Sequence, residues 1–285
     1  TQEKDTSHGK FWRSQMTKQK VILKGPVLSQ SGYGEQARFA LRALRSKEDL
    51  FDIYIAPISW GKTGWVSLDN EERSWIDSRI RETQFHNVNG GQYDISVQVT
   101  IPNEWERLAP VNIGYTAGIE TTRVAPVWLQ KANTMDRIIV VSNHAKEVFQ
   151  NSTYKGQDPN TKAIFSLSCS TPIEVVNYPV RSVETTKIKL DLDYDFNYLA
   201  ISQWGPRKNF VNLINWFIEE NFDQEVGLVL KTSIENNSLA DRKRTENTLK
   251  KIISSHGDIK CKVYLVHGDL TPEELSGLYN HKKIK

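Results

Sequence analysis

Apolar and polar residues along this chain alternate in short blocks. Val21-Ile22-Leu23 is an uninterrupted apolar run, the pattern of a strand buried on both faces, and it leads into a Gly- and Ser-rich loop over residues 25–34. Residues 35–45 place Ala37, Ala40, Leu41 and Leu44 at helical spacing. Strands are predicted at 51–56, 93–97, 111–115 and 137–141, with helices between them. One helix spans 126–133, where Pro126 suits the first turn, and another spans 143–150 behind a capping Ser142. A weaker strand at 173–177 precedes a polar stretch that reads as a linker. A fresh series then begins, with strands at 198–202, 226–230 and 262–266 and helices at 209–220 and 239–256. Thr271-Pro272-Glu273-Glu274 is a capping box that opens a last helix.

Strand alternating with helix is the signature of parallel sheets covered on both faces. The predicted class is therefore α/β, with two Rossmann-like domains. The expected organisation is a flexible lead-in over 1–20, an N-terminal domain over 21–182, a linker over 183–196 and a partial C-terminal domain over 197–285. The second series supplies three strands where a doubly wound sheet needs a fourth, so the chain is expected to be a fragment.

Composition narrows the functions. The net charge is only +3, and basic and acidic residues are balanced after Arg181, which argues against a nucleic-acid-binding face. Two distant cysteines, Cys169 and Cys261, fit a reduced setting, with a single disulfide as the alternative. Residues 1–20 hold no apolar signal core, and no apolar run is long enough to span a membrane. A cytoplasmic protein, possible at a membrane periphery, is the expectation. The six histidines show no zinc-type pairing, so no metal site is expected.

Three segments carry candidate chemistry. Ser31-Gly32-Tyr33-Gly34 lies between a strand and a helix, where close-set glycines let backbone N–H groups approach an anion; an ordinary turn is the alternative. Gly205-Pro206-Arg207-Lys208-Asn209 places two cations at the carboxyl end of a first strand, where a diphosphate binds in an open α/β domain; a solvated turn is the alternative. Residues 56–63 nearly fit a phosphate-binding P-loop ending in Lys62-Thr63. Against that reading, Pro57 removes an N–H and Trp60 is bulky where the loop must be tight. Glu120 follows a strand and reads either as a cleft residue or as a solvated one beside Thr121 and Thr122.

The first strand with its glycine loop, the segment from Ser202 to Phe210, and the segment from Val263 to Tyr279 with Gly268 and Glu273-Glu274-Leu275 together resemble the group 1 glycosyltransferases, a retaining family of GT-B fold. That resemblance implies a nucleotide-diphosphate sugar as donor and co-substrate, with no further cofactor and no metal. It implies that Arg207 and Lys208 hold the donor diphosphate, that Gly32 and Gly34 approach the same phosphates, and that Gly268, Asp269 and Leu270 lie near the base. Tyr33 and Glu120 are the candidates facing a glycan, lipid or small-molecule acceptor. The sequence departs from the family at Gln203, where an arginine is usual, and has no clear counterpart of the first-domain histidine around residues 115–118. The paired glutamates that contact the donor sugar find no match before Lys285, so weak donor binding and little turnover are expected. A non-catalytic binding module on the same scaffold and a P-loop nucleotide hydrolase are the alternatives.

Overall fold

The computed structural model describes residues 17–66, 68–157 and 160–285. Most of the predicted lead-in lies outside the described residues. Two compact units emerge, one comprising the chain up to Trp60 with Trp65–Pro179, the other Gly61–Gly64 with Val180–Lys285.

In the first unit the elements run β1 (Gln19–Gly25), α1 (Gly32–Arg45), β2 (Phe51–Pro57), α2 (Glu71–Val88), β3 (Ile95–Val99), β4 (Val111–Thr116), α3 (Pro126–Ala132), β5 (Arg137–Val140), α4 (Asn143–Asn151), β6 (Tyr154–Gln157), β7 (Ile164–Leu167) and β8 (Ile173–Val175). Six strands form one parallel sheet in the order β2-β1-β3-β4-β5-β8. Val21, Ile22 and Leu23 are all buried, as a strand covered on both faces requires. Pro57 can end β2 because β2 is an edge strand and a missing N–H there breaks no ladder. Strand β3 starts two residues later than the alternation predicts. Tyr93 instead packs its ring against Tyr54 and His86, and the Asp94 carboxylate accepts the Lys20 N–H at 2.8 Å. The antiparallel β6–β7 pair escapes prediction, since its strands are four residues each and largely exposed, with no buried periodicity.

The second unit contains β9 (Asn197–Ile201), α5 (Phe210–Asn221), β10 (Gly227–Lys231), α6 (Leu239–Ser254), β11 (Lys262–Val266) and α7 (Pro272–Tyr279). Its strands pair in parallel in the order β11-β10-β9. A parallel bridge from Asn197 to Ile284 occupies the other side of β9. Period-two alternation sorts the side chains: Ala200, Leu228, Leu230, Val263 and Leu265 join the α5–α6 core, while Leu199, Ile201, Val229, Tyr264 and Val266 join the α7 core. The predicted capping box of α7 is present, with Thr271 and Glu274 bonding reciprocally.

The stretch 183–196, predicted as a linker, is a wall of this unit. Leu192 is buried, and Ile188 and Leu190 pack with it on the α7 face. Thr186 lies so near α7 that a Cβ on Gly277 would fall 1.9 Å from its carbonyl oxygen. Three apolar side chains at alternate positions were masked by their polar neighbours, and the boundary between the units falls at Pro179 instead of residue 182.

Phe210 opens α5, is almost wholly buried, and stacks on Trp204 with ring centroids 5.1 Å apart. Phe210→Ala should lower the unfolding free energy by about 3–5 kcal/mol, read from denaturant titration, because the truncation leaves a cavity under the turn after β9.

Candidate functional site

All strands of a parallel sheet deliver their following loops to one edge, and ligands collect where the strand order reverses. In the first unit the reversal lies between β1 and β3. The loop leaving β1 ends at Ser31, whose Oγ accepts the Gly34 N–H at 3.0 Å and caps α1. Gly34 is buried, and a Cβ there would stand 2.0 Å from the Ser29 carbonyl oxygen. The close backbone approach at Gly34 is thus made by the protein's own loop, and its N–H already has an acceptor. Gly32 is different: it is exposed, with nothing within 4 Å of a Cβ position.

Tyr33 ties α1 to the end of β4. Its hydroxyl lies 2.8 Å from Thr116 Oγ1 and accepts the Ala117 N–H at 3.2 Å, while its ring packs on Trp60 at 4.4 Å. Burial raises the phenol above its ordinary pKa; the Thr116 and Ala117 bonds oppose this, and the carboxylates of Glu104 and Glu120 add to it. Glu120 is exposed on the loop after β4, close enough for its charge to be felt at Tyr33. In that loop Gly118 has φ +82°, and a Cβ would stand 2.6 Å from the Cβ of Ala145 on α4. Behind α1, the Tyr178 hydroxyl donates to Gln36 Oε1 at 3.0 Å, and burial together with Tyr115 and Tyr33 pushes its pKa up to about 12. Gln36 and Tyr178 went unremarked in the sequence because 142 residues separate them.

In the second unit β9 ends the three-stranded sheet beside β10, and the isolated Ile284 bridge lies on its other side. The chain leaves β9 through a 3-10 turn, Pro206–Lys208, on which Arg207 and Lys208 are exposed. Asn209 follows in the left-handed region at φ 50°, and α5 begins with no side chain capping its first N–H groups. Two cations and an uncapped helix start therefore share one turn at the carboxyl end of β9. Gln203 donates its amide to the carbonyls of Lys62 and Ile234 and so braces the two loops.

The exits of β10 and β11 complete this edge. Gly268 adopts φ +106°, and its carbonyl oxygen accepts from Lys231 Nζ at 2.7 Å. Asp269 accepts from the Asn237 amide, and Leu270 packs into the α7 core. His267 Nε2 donates to Asp241 Oδ2 at 2.9 Å, and the same carboxylate accepts the N–H groups of Ile234 and Glu235 at 3.0 and 2.9 Å. Burial pushes the Asp241 carboxyl upward, but the His267 bond and the two backbone donors outweigh it and hold it below its ordinary value. Lys231, Asp241 and His267 are the residues that sequence reading missed. The available signal was a charged or titratable residue closing an apolar strand run, as Lys231 does after Leu230 and His267 after Val266.

The segment over residues 56–63 is not a P-loop. Among the described residues after Pro57 no helix starts until α2 at Glu71, and Gly61 has φ +51°, so Lys62 and Thr63 do not open a helix whose N–H groups could cradle phosphate. Lys62 instead pairs with Glu235 at 2.9 Å within the second unit.

No family model and no curated protein matches this chain. Among solved structures it is similar to a mutant O-GlcNAc transferase from Thermobaculum terrenum, with a TM-score of 0.47 and 11% identity. The match covers 92% of this chain and 47% of that one, so the chain spans about half the length of that structure. Among the described residues no helix is long and apolar enough to cross a membrane.

Two outcomes follow from these contacts. Gly34→Ala should cost about 1–3 kcal/mol and lower the thermal midpoint, since backbone must move to admit the methyl group; Gly32→Ala, in open space, should leave the midpoint unchanged. Asp241 has a lowered folded pKa, so its stabilisation is present above the unfolded value, about pH 4, and is lost as pH falls through the folded value. Asp241→Asn should cost about 1–3 kcal/mol at pH 7 and flatten the acid limb of a stability-versus-pH curve.

Proposed function

We propose that this chain is part of a glycosyltransferase that moves a hexose from a nucleotide-diphosphate sugar to a glycan, lipid or small-molecule acceptor. The observation that carries the reading is the turn after β9. There Arg207, Lys208 and the uncapped start of α5 share one turn at the carboxyl end of β9. Each part suits a diphosphate for a separate reason. Guanidinium forks match phosphate oxygens, an ammonium adds a mobile point charge, and first-turn N–H groups lie at the positive end of the helix dipole.

In this reading the nucleoside diphosphate is the leaving group. As the bond from anomeric carbon to phosphate oxygen breaks, negative charge grows on the β-phosphate, and fixed positive groups stabilise it more than they stabilise the intact donor. The charge supplied by the chain makes a metal-independent reaction our proposal, with retained configuration at the sugar. Gly268 and Leu270 would lie towards the base.

A second reading has a specific observation behind it. Gln203 stands where the resembled family has an arginine and is engaged with two carbonyls, which leaves one phosphate cation fewer and suits a module that binds nucleotide without turnover. Nuclear magnetic resonance of a mixture of nucleotide sugar and candidate acceptors separates the two, since only the enzyme yields a new glycosidic linkage with the donor's anomeric configuration.

Lys208→Ala should raise the dissociation constant for UDP, GDP or ADP, whichever binds, by about tenfold, since a charge-assisted phosphate contact contributes about 1.5–3 kcal/mol. Titration calorimetry reads this directly. An unchanged constant removes Lys208 from the site.

A further inference from the structure

The middle strand of the second sheet ends in a lysine. Lys231 closes the run Gly227–Lys231, in register with Ile201 of β9 and Val266 of β11. Its backbone carbonyl accepts the Ser202 N–H at 3.2 Å, and the Trp204 N–H reaches the Ser233 carbonyl at 2.8 Å. Lys231 is thus fastened to the segment that leads to Arg207 and Lys208, one strand spacing away, about 4.8 Å.

The ammonium of Lys231 is poorly compensated. An ammonium has three donors, and among the described residues its one hydrogen-bond acceptor is the neutral carbonyl of Gly268 at 2.7 Å. No carboxylate comes within ion-pair distance among those residues, and Asp269 acts on it only through longer-range attraction. Burial accordingly moves its pKa below that of an ordinary lysine. A half-buried charge with donors to spare costs free energy that an anionic ligand would offset. Beside it, Gly268 at φ +106° has nothing within 4 Å of a Cβ position, which leaves open space over the acceptor loop.

We propose that Lys231 is a third cation of the diphosphate site, donating to a phosphate oxygen of the bound nucleotide while Gly268 holds its side chain in place. This inference rests on the reading of Arg207 and Lys208 given above, and it makes the site span the exits of both β9 and β10.

Inorganic pyrophosphate is a suitable probe because it needs no knowledge of the base. By titration calorimetry Lys231→Met should weaken pyrophosphate binding about tenfold, and Lys231→Arg, which keeps the charge, should bind within about threefold of the unaltered chain. Circular dichroism checks that each variant is folded. Independently of any substitution, trace acetylation of the unaltered chain read by mass spectrometry should show pyrophosphate slowing the labelling of Lys231 and Lys208 but not of Lys250, exposed on α6. Unchanged affinity in Lys231→Met, or unprotected Lys231 with Lys208 protected, overturns the third cation and leaves the diphosphate reading intact. Absence of pyrophosphate binding to the unaltered chain, or a loss of binding in neither Lys208→Ala nor Lys231→Met, overturns both.

Discussion

Parallel pairing with both faces covered is the constraint on which the rest of this molecule depends. A parallel strand cannot turn back through a short hairpin, so each return crosses over to the sheet's other end, mostly as a helix, and every exit loop emerges on the same edge. In the second unit that edge receives the ends of β9, β10 and β11. Polar and charged groups concentrate there because it is the one part of the sheet where a strand's last residue escapes the apolar cover. Lys231 and His267 stand at such ends, each directly after an apolar run.

What keeps these loops in place is a set of polar ties in which few partners are interchangeable. Asp241, on the first turn of α6, holds the loop after β10 through two backbone N–H groups and reaches the end of β11 through His267. Lys231 ties the same two exits through Gly268, and Trp204 leans on Phe210 to seat the turn after β9. Such buried, hydrogen-bonded groups fix geometry because leaving any one of them unpaired is costly. In the first unit Tyr33 does the equivalent work, joining α1 to the end of β4 through Thr116 and Ala117.

The candidate diphosphate site combines a rigid part with an unsaturated one. Arg207 and Lys208 are exposed on a short 3-10 turn, while the start of α5 lacks a side-chain cap. Elsewhere Ser31, Asn70, Ser142, Ser238 and Thr271 cap their helices with side-chain oxygens, while α3, opened by Pro126, shares with α5 the lack of a side-chain cap. The contrast has a physical meaning: a side-chain cap would occupy the N–H groups that an anion needs, and Asn209, held at φ 50°, provides none.

The sequence by itself determined most of the elements and their alternation, though not the exposed β6–β7 pair, because a strand buried on both faces needs an unbroken apolar run and an amphipathic helix needs a 3.6-residue stripe. It also placed Arg207 and Lys208 at a strand exit, since that requires only the order of local patterns. Tertiary structure decided the rest. Gly34 is fixed by the approach of the Ser29 carbonyl, the supposed linker by the alternate burial of Ile188, Leu190 and Leu192, and the Lys231–Gly268 tie by the pairing of β10 with β11. These are contacts set by strand register and sheet order, which bring residues together across tens of positions, and local periodicity carries no record of which strands become neighbours.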